Sequence, residues 1–251
     1  MSLSVDLNAD LGEGAGHDNA LLALISSANI ACGVHAGNLA MMRASMLAAR
    51  ERGVAVGAHP GFDDRANFGR SEMSLSAEEV FALVLSQVGA FHQAAHSLGI
   101  RPQHVKPHGA LYNMAARNEE MADAIARAMR AIDPKLILFA PAASALSRAA
   151  ESNELHVARE VFADRNYMPD GSLVPRGHPE ALLHDPEEAA DRVFGMLRDD
   201  KVRAIDGSEV PVQADTICVH GDTPDAVKFA LALRTCLSQV GIMIAPPGHK
   251  G

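Results

Sequence analysis

Short β-rich runs alternate with helix-period runs along the whole chain, and this alternation constrains the fold more than any other feature. The candidate strands cover 3–9, 29–32, 54–58, 104–107, 136–139, 156–161 and 216–219. Helix-period segments fill the gaps, and several have legible ends. Asp18 precedes an apolar run at 20–26, Asn38 precedes 41–52 with Gly53 after it, and Ser76 with Glu79 reads as a capping box before a long helix ended by Gly99. Asp185, Pro186 and Glu188 open another helix, as do Thr223 and Pro224. Residues 202–212, with an Asp206-Gly207 turn, read as a small hairpin. No linker, low-complexity tract or charge block divides the chain, so a single domain over 1–251 is expected.

The strand faces decide between an open sheet and a barrel. In a parallel sheet covered by helices on both sides, strands are apolar throughout. Here Asp6, Asn8 and Asp10 share one face of the first strand by the two-residue period, while Val5, Leu7, Ala9 and Leu11 share the other. His104, Lys106 and His108 repeat the split against Val105 and Pro107, and Thr216, Cys218, His220 and Asp222 oppose Ile217 and Val219. A closed parallel β/α barrel explains this pattern: outward faces meet helices, and inward polar residues near the strand ends line a mouth. The expected fold class is therefore α/β, a TIM-like barrel of about seven strands.

Composition narrows the function. The chain has a formal net charge of -9, no Trp and 2 Tyr, which argues against nucleic acid and weakens sugar binding. Its 12 His point instead to proton transfer or metal ligation. The 3 Cys (Cys32, Cys218, Cys236) are widely spaced and suit reduced thiols. Asp6 and Asp10 in the first apolar stretch do not read as a secretory leader, and no run approaches a membrane span. A cytoplasmic location is expected.

Polar residues gather where strands end: Asp6, Asn8 and Asp10, Asn29, His35, His59, Lys106 and His108, Arg159 and Glu160, His220 and Asp222. Burying an unpaired carboxylate or ammonium costs several kcal/mol, so such a ring persists only if its members pair with each other, a ligand or a metal. The segment Gly12-Glu13-Gly14-Ala15-Gly16 could form an anion-binding nest, but a flexible turn accounts for it better and no P-loop pattern occurs. A loop of about sixteen residues from His59, through Asp63, Asp64, Arg65, Phe68 and Arg70, reads as a lid. A second loop carries Asp164, Arg165 and Arg176, suited to holding a carboxylate or phosphate, with mutual pairing as the alternative. His92 and His96 lie four apart on a helix and fit a solvated face better than a metal site.

The stretches Asp6-Leu7-Asn8-Ala9-Asp10-Leu11-Gly12-Glu13-Gly14, Asn29-Ile30-Ala31-Cys32-Gly33-Val34-His35-Ala36-Gly37, Gly57-Ala58-His59-Pro60-Gly61-Phe62, Lys106-Pro107-His108-Gly109-Ala110-Leu111-Tyr112-Asn113, Arg159-Glu160-Val161-Phe162-Ala163-Asp164-Arg165 and Cys218-Val219-His220-Gly221-Asp222 resemble the LamB/YcsF family. The resemblance runs in order along nearly the whole chain and departs at His17, where the first loop is shorter than the family pattern. It implies a barrel similar to glycoside hydrolases and polysaccharide deacetylases. It further implies a part in the ATP-dependent opening of 5-oxoproline to L-glutamate, with 5-oxoprolinase subunits B and C as partners and ATP as co-substrate of the complex.

On that reading Asp10, His59, Lys106, His108, His220 and Asp222 are the candidate catalytic residues. Asp6, Asn8, Asn29, His35, Arg70, Arg159, Glu160, Asp164, Arg165 and Arg176 are the candidates for substrate binding, and no residue is assigned to a metal. Two alternatives stay open. One is a metal-dependent amidase or deacetylase in which Asp10, His35 and His59 hold Zn²⁺. The other is a non-catalytic subunit that only binds 5-oxoproline.

Overall fold

The computed structural model describes residues 4–221 and 225–248. Its elements run β1 (Ser4–Leu11), α1 (Asp18–Leu21), β2 (Ser27–Ala31), α2 (Leu39–Glu51), β3 (Ala55–His59), α3 (Ala77–Ser97), β4 (His104–Val105), α4 (Gly109–Ala115), α5 (Glu119–Ile132), β5 (Ile137–Ala140), α6 (Ala145–Ser152), β6 (His156–Phe162), α7 (Pro186–Asp199), β7 (Lys201–Arg203), β8 (Glu209–Pro211), β9 (Thr216–Val219), α8 (Ala226–Gln239) and β10 (Met243–Ile244). Strands β1 to β6 pair in sequence, all parallel, and β9 joins β6 to β1. The sheet thereby closes into a seven-stranded barrel, as the strand faces require.

The hairpin β7–β8 is antiparallel and separate from the barrel. Strand β10 has no counterpart among the sequence expectations. It extends the sheet at the start of β1, with Ser4 opposite Met243 and Val5 opposite Ile244. Two residues are too few to show a two-residue period, so only the free edge of β1 reveals it.

Most helix ends follow the sequence. Asn38 accepts from the Met41 amide, and Ser76 and Glu79 exchange both bonds of a capping box. The first helix is the exception, spanning only Asp18–Leu21 instead of continuing through 26. The Asp18 carboxylate does not cap it. It accepts instead from the Gly12 amide (2.9 Å) and Ser45 Oγ (3.0 Å), tying the loop after β1 to α2. The start expected at Thr223 and Pro224 lies outside the described residues.

The apolar core lies between barrel and helices. Val5, Leu7, Ala9 and Leu11 of β1 are buried in it with Met42 and Met46 of α2, Val84 and Phe91 of α3, Ile125 and Met129 of α5, and Leu233 of α8. The barrel interior is different: Asp6, Asn8, Ser27, Asn29, His104, Glu160 and Thr216 are all buried there. His104 lies flat on Phe139, its ring centroid 4.3 Å away, and a Cβ on Gly57 would meet the His104 ring at 2.1 Å. A glycine is therefore required at 57.

Candidate active site

The polar interior has two levels. In the lower one, Asp6 accepts from Ser26 Oγ (2.6 Å), Ser27 Oγ (2.7 Å) and Thr216 Oγ1 (2.5 Å). Burial outweighs these bonds and raises its pKa to about 6. Above it, the Asn8 amide donates to Glu160 and Thr216, and the Asn29 amide donates to Asn8 and Asp10. Asn29 Oδ1 in turn accepts from His104 Nε2 at 2.8 Å.

Lys106 links this network to the rim. Its Nζ lies 3.0 Å from both Asp10 Oδ1 and Glu160 Oε1, and donates to Cys218 Sγ at 2.9 Å. Desolvation works against the ammonium, but Asp10, Cys218 and Glu160 push its pKa well above the ordinary lysine value. Burial likewise opposes the Asp10 carboxylate, and the Lys106 ammonium beside it holds it well below the usual range. A buried ion pair is thus formed at the floor of the mouth. Burial pushes the Cys218 thiol up, against the pull of Lys106.

Four consecutive strand ends then bring together Glu13, His35, His59 and His108. Glu13 Oε1 lies 3.2 Å from His35 Nε2, 3.4 Å from His108 Nδ1 and 3.8 Å from His59 Nε2. The His35 and His108 rings stack with centroids 3.9 Å apart, and His59 meets both edge-on. Burial lowers the pKa of His59 to about 4 and of His35 to about 3, and that of His108 well below its ordinary value. All three are neutral imidazoles near neutral pH. The donor atoms of these four residues all lie within 4.8 Å of one another, as do those of Asp10, Cys218 and His220.

A cavity of about 250 Å³ opens beside this cluster. Asp10, His59, Lys106 and His108 form its floor, Tyr112, Phe162 and Leu173 its apolar wall, and Arg70, Arg165, Arg176 and His220 its remaining polar lining. Asp164 orients His220 by accepting from Nδ1 at 2.9 Å. The Arg165 guanidinium is anchored on the Val174 and Ala181 carbonyls, and burial lowers its pKa only to about 10, so it remains a cation.

The expected lid is pinned. Gln87 binds both the amide and the carbonyl of Gly61, Arg65 donates to the Gly33 and Gly37 carbonyls, and Gly69 O accepts from the Ala110 amide. Phe68 takes a left-handed φ of 57°, unusual for a bulky side chain, and its carbonyl faces His108 Nε2 at 2.8 Å. The loop is thus a strap over the histidines.

Most sequence-selected residues converge at or below this mouth: Asp10, His35, His59, Lys106, His108, Asp164, Arg165, Arg176, His220 and Arg70 around it, and Asn8, Asn29 and Glu160 beneath Lys106. Asp6 sits at the far end of the interior, away from the cavity. Arg159 points outward and binds Asp215 through Nε at 2.6 Å, because its neighbour Glu160 takes the inward face of β6. Asp222 lies outside the described residues. Glu13 and Tyr112 are additions that the sequence candidates lack, although a carboxylate between Gly12 (φ 72°) and Gly14 (φ 90°), directly after a strand, signals a turn that returns its side chain to the mouth. The Gly12 amide serves Asp18, so that turn holds the chain's own carboxylate.

Fold and site together define a seven-stranded parallel β/α barrel with a compact, charged cavity at the C-terminal ends of its strands, where barrels of this kind carry their chemistry. The chain belongs to the LamB/YcsF family, whose pattern matches residues 5–250. It is 52% identical to the A subunit of 5-oxoprolinase from Neisseria meningitidis serogroup A over 241 residues, covering 96% of this chain and 98% of that one. The crystal structure of the lactam utilization protein from Thermus thermophilus superimposes with a TM-score of 0.90 at 46% identity, covering 97% of this chain and 99% of that one. Peptidoglycan deacetylase PdaC from Bacillus subtilis shares the fold alone, with a TM-score of 0.51 at 13% identity over 97% of this chain and 87% of that one. Among the described residues no helix is long and apolar enough to cross a membrane.

Proposed function

We propose that this chain is the A component of a cytoplasmic, ATP-dependent 5-oxoprolinase and that its rim cavity binds 5-oxoproline for opening to L-glutamate with subunits B and C. The observation that carries this reading is the cavity's composition in a chain so similar to a 5-oxoprolinase component: three arginines face a buried Asp10–Lys106 pair across a space of about 250 Å³. That space suits one small ring with one carboxylate.

Arg70 and Arg176 would hold the substrate carboxylate, and Phe162 and Leu173 would cover its methylenes. A lactam carbonyl is a weak electrophile. Transfer of the γ-phosphoryl group of ATP to the amide oxygen activates it, with ADP leaving. Lys106 and Arg165 stabilise the charge on the transferred group. Water then adds to the ring carbon while Asp10 or neutral His59 takes its proton. The C–N bond breaks as His220, oriented by Asp164, protonates the nitrogen, and a second water cleaves the resulting acyl phosphate to glutamate and phosphate.

The test is reconstitution of the chain with subunits B and C and measurement of glutamate release from 5-oxoproline. Release that requires ATP and all three chains is expected. Release by this chain alone without ATP contradicts the reading.

A further inference from the structure

The contact between His59 and His108 has no consistent proton assignment as two neutral imidazoles. His59 Nδ1 lies 2.7 Å from the Lys106 carbonyl, and His108 Nε2 lies 2.8 Å from the Phe68 carbonyl. A carbonyl oxygen only accepts, so each of those nitrogens carries its ring's single proton. The remaining nitrogens, His59 Nε2 and His108 Nδ1, therefore aim lone pairs at each other across 2.9 Å. Around that point stand more acceptors: Glu13 Oε1 at 3.4 Å from His108 Nδ1, and Asp10 Oδ2 at 3.5 Å from His59 Nε2. Lone pairs converge on this point from both rings and both carboxylates, and a cation placed there would relieve their repulsion.

We propose that Glu13, His35, His59 and His108 form a binding site for one divalent transition-metal cation of the Zn²⁺ type. Three imidazole nitrogens and a carboxylate oxygen are borderline ligands that favour such ions over Mg²⁺ or Ca²⁺. Ligands about 2.0–2.1 Å from a tetrahedral zinc lie roughly 3.3–3.4 Å apart. Four of the six pairs here lie at 2.9, 3.2, 3.4 and 3.8 Å, on both sides of that spacing, and all six lie within 4.8 Å. The backbone carbonyls of Lys106 and Phe68 already supply the outer partners that fix the ring orientation of a ligating histidine. His35 Nδ1 meets no hydrogen-bond partner among the described residues and can take the ring proton once an ion replaces the Nε2–Glu13 contact.

The site joins the loops after four successive strands, and two of its ligands, His59 and His108, also line the cavity. The ion would therefore sit in the wall of the cavity and close the strap over it. Asp10, which the sequence grouped with His35 and His59 as a metal triad, takes the neighbouring place beside Lys106, and Glu13 supplies the carboxylate in its stead.

The inference stands on ligand geometry alone and does not depend on the lactam reading. The experiment removes metal from the full chain by chelation, then titrates it with Zn²⁺ and, separately, with Co²⁺, following heat and the visible ligand-field bands. One equivalent is expected to bind, with cobalt bands of a low-coordinate nitrogen–oxygen site. Glu13→Gln and His35→Asn should each weaken Zn²⁺ binding by at least about 100-fold, since losing even an outer partner of a ligand costs about 10–100-fold. The doubly substituted His92→Ala/His96→Ala chain should bind like the unaltered one. Folding of every variant is checked by its circular-dichroism melt. Because binding is read on the unaltered chain first, a variant that fails to fold leaves the proposal falsifiable.

Absence of stoichiometric binding to the unaltered chain overturns the proposal and leaves the His59–His108 contact as a proton-bridged pair. Full binding by folded Glu13→Gln and His35→Asn chains overturns it equally. Either result leaves the glutamate-release assay untouched.

Discussion

The lower and upper levels of the barrel interior are equally buried but differ in how their polar groups are matched. Below, Asp6 faces three hydroxyl donors, and the Asn8, Asn29 and His104 groups alternate donor and acceptor, with His104 Nδ1 left unmatched among the described residues. Above, Glu13, Asp10 and two imidazole lone pairs converge on one point, and Lys106 is paired with Asp10 from below. Burial of polar groups is therefore a poor marker of function by itself. What separates a structural network from a site is an excess of one kind of partner, which a ligand must supply.

The comparison can be strained first by acid. Burial holds His35 and His104 at about 3 and His59 at about 4 in the folded chain, against 6.5 when unfolded. Between those values the unfolded chain binds more protons, so stability is full above 6.5 and falls as pH drops from 6.5 towards 4. Each histidine contributes up to about 1.4 kcal/mol per pH unit, for a total of several kcal/mol. Urea melts of chelator-treated protein across this window should show the decline, and a flat profile would refute it.

Removing the cation that couples the two levels comes next. Lys106→Met leaves Asp10 and Glu160 buried without their partner, which should cost about 3–5 kcal/mol in a denaturant melt. A loss under about 1 kcal/mol would show that the pair contributes little.

Gly57→Ala tests the rigidity of the lower level. Its Cβ would reach the His104 ring at 2.1 Å, and Phe139 blocks retreat, so overpacking should cost about 1–3 kcal/mol. Pairing it with His104→Ala should make the two substitutions clearly non-additive, and simple additivity in the double-mutant cycle would place the strain elsewhere.

The smallest effect belongs to Asp6. Its pKa is raised from 3.8 to about 6, so the folded chain binds more protons over that range and this group's contribution to stability falls as pH rises through it. Asp6→Asn should remove that counter-slope, about 1.4 kcal/mol per pH unit, while weakened bonds from Ser26, Ser27 and Thr216 offset the gain by about 1 kcal/mol each, leaving a small net change at neutral pH. An unchanged slope between 3.8 and 6 would contradict the assignment.

Much of this is legible in the sequence alone. The two-residue period places Asp6, Asn8, Asp10, His104, Lys106 and Cys218 inside the barrel, because a strand has only two faces and the outer one is plainly apolar. The same rule shows why Arg159 and Glu160 cannot both point inward. What the period does not encode is a turn. Glu13 enters the site through two glycines with positive φ, and the strap 60–75 reaches His108 through a backbone carbonyl that any residue could offer. The pairing of β10 with β1 is hidden for a similar reason, since it depends on an edge left open at the far end of the chain.

The central claim is that the rim cavity of this chain carries the chemistry of lactam opening, and it is tested most directly at Asp10. Glutamate release from 5-oxoproline and ATP should be measured for the complex with subunits B and C containing either the unaltered chain or Asp10→Asn, both shown to be folded and assembled. A fall of about 100-fold or more in turnover is expected, in the range for losing a general base. Equal turnover would contradict the account and place the chemistry elsewhere in the complex.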